Sequence, residues 1–197
     1  MLPNDTDKLD PRTRRTRQMI IQAFNELVTE QGFQGLGVQE ITDRAGINRA
    51  TFYAHFADKY ALLDHAIQQE FRSEIDRRML NACHFSMEKL RILTIAVCEF
   101  VAKSHGHCPL SEAQFQSLIE TQIRGQVYEL IHHWLETLPA DPQHPVSREH
   151  AATAASWALY GLAVDWSRAK RTPPIEEYAS EVLPLLAASL GLSLEFA

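Results

Sequence analysis

Apolar residues recur along this chain at intervals of three and four, and no stretch alternates with a period of two. That spacing predicts helix from end to end, an all-α fold. Ile20, Ala23, Phe24, Leu27 and Val28 form the stripe of a first helix. Asp10 and Pro11 supply its cap and first residue, and Gly32 ends it. A short second helix is expected from about Val38 to Ala45, with Val38, Ile41 and Ala45 on one face and Gly46 in the turn. Asn48 can cap a third helix, and Ile47 can pack on Phe52 as a hydrophobic staple. Phe52 and Phe56 then point inward together, which leaves Arg49, Ala50, Tyr53 and Ala54 on the outer side. Asp58 is placed to cap a long fourth helix running to about Cys83.

The remainder predicts longer helices: Ser86 to Ser104, Ser111 to Leu138 in one or two segments, Ser147 to Lys170, and Pro174 to Leu190. The breaks are HGHCP at 105–109 and PADPQHP at 139–145, and Pro184 is expected to bend the last helix. There is no internal repeat.

Composition narrows the class. At 197 residues, 45% hydrophobic and 22% charged, the chain can bury a globular core. Cys83, Cys98 and Cys108 are odd in number and form no CxxC pair, which suits a reducing compartment. The start, MLPNDTDKLDPRTRRTR, is polar, and the longest uncharged run, Ala151 to Val164, falls short of a bilayer span. A cytoplasmic protein is expected. The net charge of −6 is unevenly spread. From Arg12 to Lys59 seven Lys/Arg stand against five Asp/Glu; from Tyr60 onward eleven stand against seventeen. A mildly basic N-terminal region on an acidic remainder hints at an anionic partner.

The second and third helices, joined by AGIN, make a helix-turn-helix whose second member is the candidate reader of a major groove. Ala50 and Ala54 are small enough to let base edges approach. Arg49, in the first turn, can reach a guanine edge or a phosphate. Thr51 and Tyr53 offer hydroxyls to phosphates or contact with a thymine methyl, and His55 is a further phosphate candidate. Lys59, at the start of the next helix, is unfavourable against the macrodipole unless a phosphate lies there. RTRRTR (Arg12 to Arg17) is a phosphate clamp or minor-groove arm.

Taken together, Ile20 to Leu63 resembles the DNA-binding region of TetR/AcrR-family transcriptional regulators. The matching signs are GF after the first helix, V-x-x-I in the second, AGI in the turn, and T-F-Y-x-H-F-x-x-K beyond it. The resemblance implies a homodimer with one helix-turn-helix reading head per subunit and a larger C-terminal helical domain for dimerisation and effector binding. The expected boundaries are a flexible arm at 1–11, the DNA-binding domain at 12–57 and the C-terminal domain at 58–197. It places Thr51, Tyr53 and His55 in the reader, Lys59 on a phosphate, and Arg49 at a variable base-reading position. Arg15, Arg17, Gln39, Asn48 and Ala50 complete the expected DNA-contacting set. Two residues depart from the family pattern: Gly37 replaces the usual hydroxyl residue, which weakens that cap by a few tenths of a kcal/mol, and Thr42 stands where Ala is common.

Plainer readings stand beside several of these. Tyr53 can be a surface aromatic packed on the first helix, His55 a lid on the core, and RTRRTR a solvated run. His105, His107 and Cys108 are metal-ligating types without an evident fourth ligand. Adjacent His132 and His133 point about 100° apart and do not chelate as an i, i+4 pair would. In AATAASWALYGLAVDW (151–166), Ala151, Ala155, Ala158, Gly161 and Leu162 line a small-residue side. With Leu183 and Leu186 of the final helix they resemble the family's dimer interface, or else serve an ordinary intramolecular contact. Phe100, Phe115, Tyr128, Trp134 and Trp157 are effector-pocket candidates that core packing explains equally well.

The function expected is a sequence-specific regulator, a repressor released from a near-palindromic operator by a small-molecule effector. An effector-independent or architectural DNA binder is the alternative. No HExxH, GxSxG or phosphate-loop motif is present, so neither turnover nor a cofactor is expected.

Overall fold

A computed structural model describes residues 10–78, 80, 84–107, 113–139 and 146–191, with the side chains of 105–107 and 113–115 outside the description. Among the described residues the structure is helical throughout. The elements are α1 (Pro11–Gln31), α2 (Val38–Ala45), α3 (Arg49–His55), α4 (Lys59–Arg77), α5 (Met87–His107), α6 (Ala113–Glu136), α7 (Arg148–Arg168) and α8 (Ile175–Ser189). Two compact units emerge, Met1–Gln69 and Glu70–Ala197, and the boundary falls within α4. No described helix is long and apolar enough to cross a membrane.

The N-terminal unit is built on the stripe of α1. Ile20, Ala23, Phe24 and Leu27 are buried with Phe33, Leu36, Ile41, Phe52 and Phe56. Phe24 meets the edge of Phe33, whose centroid lies 6.1 Å away. Gly46 adopts φ +67 at the end of α2, a left-handed conformation that costs glycine little. Gly37 has no side chain to cap α2. The Glu40 carboxylate, however, accepts from the Gly37 N–H at 2.8 Å, so one half of a capping box remains. Arg44 ties α2 to α1 through Glu30 at 2.7 Å and Glu26 at 3.2 Å. Ile47 is only half-buried rather than core as its staple position suggested.

In the C-terminal unit α7 packs on α5, α6 and α8. Its small residues Ala151, Ala152, Ala155, Ser156 and Ala163 are buried, which lets the neighbouring backbones come close. The Trp166 indole N–H donates to the Pro173 carbonyl at 2.8 Å, and the Tyr178 hydroxyl donates to the Leu162 carbonyl at 2.9 Å. α6 is one helix, not two, and α4 stops at Arg77, short of Cys83, which lies outside the described residues. Pro184 sits inside α8.

Candidate nucleic-acid interface

The reader helix α3 has only seven residues and depends on its ends. Asn48 Oδ1 accepts from the Thr51 N–H at 2.7 Å, an N-cap, and from the Thr51 hydroxyl at 3.0 Å. The hydroxyl expected on a phosphate is therefore spent on the cap. Phe52 is fully buried and anchors the inner face against Phe56, whose ring lies 6.0 Å away. Arg49, Ala50, Tyr53 and Ala54 are all exposed. Along this outer face the Arg49 guanidinium reaches the Tyr53 hydroxyl at 3.4 Å. Gln39 is exposed on α2 with its amide donating to Asp43 at 2.8 Å. His55 is half-buried, and burial, followed by the nearby Arg17 charge, lowers its pKa.

On α1, Arg12 and Arg15 are exposed and Arg17 is half-buried. The Arg17 guanidinium lies 4.7 Å from the centre of the Phe56 ring. Its Nε donates to His65 Nε2 at 3.4 Å, and its Nη2 lies 3.4 Å from His65 Nδ1. Burial, with Arg17 second, lowers the His65 pKa to about 4, so the ring is neutral at pH 7 and can accept.

The sequence set the Lys59 ammonium against a DNA phosphate; in the structure Nζ donates to the carbonyls of Leu36 at 3.0 Å, Gln34 at 3.1 Å and Phe33 at 3.4 Å. It also lies 4.6 Å from the centre of the Phe33 ring. An ammonium has three donors, and here all three serve the loop before α2. Asp58 caps α4 as expected, accepting from Tyr60 and Ala61 N–H at 2.8 Å each.

The C-terminal candidates divide. Trp134 is fully buried and donates its indole N–H to the Leu80 carbonyl at 3.2 Å; Phe100 is buried edge-on to Phe71. Both are buried and in contact with neighbours inside the C-terminal unit. Tyr128 stacks on His132. The Phe115 side chain lies outside the described residues, as do the side chains of His105 and His107 and all of Cys108. Trp157 is 52% exposed, with the Arg124 guanidinium 3.4 Å from its ring centre. It borders a cleft of about 410 Å³ between α6 and α7, lined also by Gln116, Glu120, Tyr160, Val164 and Arg168. Of the residues assigned to a dimer face, Ala151, Ala155 and Leu186 are buried inside the single chain and present no surface. Ala158, Leu162 and Leu183 are half-buried, and Gly161 is exposed.

Residues 20–66 match the family model described as bacterial regulatory proteins, tetR family. Residues 20–66 thus carry the signature of the tetR family's DNA-binding region. Curated relatives include YxbF of Bacillus subtilis, an uncharacterised HTH-type transcriptional regulator, 37% identical over 79 residues. That alignment covers 38% of this chain and 21% of YxbF. FasR of Mycolicibacterium smegmatis, an HTH-type transcriptional activator, is 28% identical over 120 residues, covering 59% of this chain and 53% of FasR. The chain thus spans about a fifth and about half of these relatives' lengths. Among solved structures, Thermus thermophilus FadR, a TetR-family repressor in complex with lauroyl-CoA, aligns with a TM-score of 0.61 at 21% identity. The alignment covers 92% of this chain and 98% of that one. Bacillus subtilis FadR in complex with stearoyl-CoA aligns with a TM-score of 0.54 at 17% identity, over 87% and 98% of the two chains. At these identities the likeness is one of fold.

Two features of this TetR-family head escaped the sequence. His65 lies 48 residues from Arg17, and the carbonyls that Lys59 holds are 23 to 26 residues away. Neither contact leaves a local signal. The outward turn of Trp157 and of the 59%-exposed Leu185 on α7 and α8 likewise has no local signal beside the stripe of alanines.

Proposed function

We propose that this chain represses transcription by binding a near-palindromic operator as a homodimer, until a small-molecule effector releases it. The observation that carries this reading is the outer face of α3. Arg49, Ala50, Tyr53 and Ala54 are exposed on a helix whose other face is anchored by Phe52. Such a face combines a bidentate donor, a hydroxyl and two small residues, which suits base edges in a major groove. The exposed Arg12 and Arg15, with Arg17, supply phosphate contacts. Lys59 is left out of the contacting set.

For the second copy, the exposed Trp157, Gly161 and Leu185 on α7 and α8 are the proposed surface, in place of the buried alanines. Two-fold protein symmetry then demands an inverted repeat in the DNA. Acyl-CoA thioesters are the first effector class to test, because solved structures of this fold hold lauroyl-CoA and stearoyl-CoA. Release would act through α4, whose residues belong to both units. The coupling is the effector's differential affinity for two states, typically about 1–3 kcal/mol. The proposed setting is the cytoplasm, and catalysis has no part in the mechanism. Activation is the second reading, favoured by one observation: FasR is an activator.

Selection of bound duplex from a random pool at near-physiological salt tests the proposal. Recovery of an inverted repeat, with release by an acyl-CoA or another small molecule, supports it. Recovery of no shared sequence overturns sequence-specific reading in favour of an architectural binder. Transcription from a promoter bearing the repeat separates repression from activation.

A further inference from the structure

We propose that His65 is a positioning residue for DNA binding: with Phe56 it holds the Arg17 guanidinium ready for a backbone phosphate. The inference rests on the DNA-binding reading above and names a device within it. An exposed arginine near DNA must lose rotamer freedom when it meets a phosphate. Arg17 has already lost it, with the Phe56 ring centre 4.7 Å from the guanidinium carbon and the two His65 ring nitrogens 3.4 Å from Nε and Nη2.

The partners hold the group without neutralising it. Among the described residues Arg17 makes no ion pair with a carboxylate, unlike Arg44, Arg78 and Arg91. A guanidinium carries five N–H donors, and a neutral imidazole accepts at one ring nitrogen only, so at most one is engaged by His65. A cation that is oriented, uncompensated and still rich in donors is built for an anion. DNA is the anion this head would meet, and its phosphates are contacted without regard to sequence. Neutral His65 suits the task because it accepts from the guanidinium, whereas a carboxylate there would cancel the charge that the phosphate needs.

The test uses the full chain and a fluorescent mixed-sequence duplex, with binding measured against salt concentration. Arg17→Ala should weaken binding about tenfold and flatten the plot of log K against log salt by about 0.9. His65→Ala should lose several-fold in affinity, and His65→Gln, which keeps an acceptor, should recover most of it. The double variant Arg17→Ala/His65→Ala should bind no more weakly than Arg17→Ala alone. Losses that add in the double variant, or an unchanged salt slope in Arg17→Ala, overturn the positioning role while wild-type binding still upholds the DNA reading. A wild-type chain that binds no duplex overturns both. Thermal unfolding of each variant separates a lost contact from a lost fold.

Discussion

The ammonium of Lys59, in the first turn of α4, lies 3.0 Å from the carbonyl oxygen of Leu36, just before α2. The same group reaches the carbonyls of Gln34 and Phe33, so one side chain closes the loop that aims the helix-turn-helix. Lys59→Met keeps much of the stem and removes the donors. It should destabilise the N-terminal unit by about 1–3 kcal/mol, seen in denaturant melts without DNA. A variant as stable as wild type that binds DNA more weakly would restore the phosphate role read from the sequence.

Arg49 and Tyr53 offer a different kind of test, because both are exposed. Arg49→Ala or Tyr53→Ala should weaken specific binding by about 1–3 kcal/mol while leaving mixed-sequence binding and stability near wild type. Asn48→Ala, by contrast, removes the cap of α3 and should cost about 1 kcal/mol of stability. Equal losses on specific and mixed duplexes would make the two outer residues phosphate contacts, not readers.

Acid should act through His65. Its folded pKa, about 4, lies below the ordinary histidine value of about 6.5. Between those values the unfolded chain binds the proton and the folded chain does not, so stability must fall as pH drops through that window. His55 is shifted in the same direction. Urea midpoints at pH 7 and pH 4.5 should differ less in His65→Gln than in wild type. Equal differences would exclude His65 as a source of the acid sensitivity.

The exposed side of α8 and the buried face of α7 predict opposite outcomes. Leu185→Asp, on the exposed side of α8, should leave the helices intact and shift the sedimenting species to a monomer. Ala155→Leu, by contrast, overfills a buried contact and should cost about 1–3 kcal/mol of stability. A dimer that survives Leu185→Asp would place the interface elsewhere.

These contrasts show what a sequence can reveal of such a protein. The start of α1 at Pro11, the cap of α3 by Asn48 and the inward pair Phe52 and Phe56 are signals local to a few residues, and all stand in the structure, although the Asp10 side chain makes no cap hydrogen bond. α6 ends at Glu136 and α7 starts at Arg148, while residues 140–145 of the expected break lie outside the described residues. What local pattern does not carry is the partner of a long side chain. Trp134 looks as fit for a pocket as for a core until Leu80, 54 residues away, receives its N–H. The rotation of α7 is similar. Alanines permit close approach by any helix, and only packing on α5, α6 and α8 turns them inward, leaving Trp157 outside.

Cys98 draws a last consequence from that packing. Its thiol is fully buried on α5, and burial, with Glu99 second, pushes its pKa up to about 12. A thiol that is both enclosed and protonated reacts with an alkylating reagent only while its surroundings are open. With Cys83 and Cys108 replaced by serine, Cys98 becomes a clock inside the C-terminal unit, and its rate of labelling counts how often that unit opens. A ligand that settles among these helices would slow the clock, whatever its chemical identity, and would reveal itself without any DNA present.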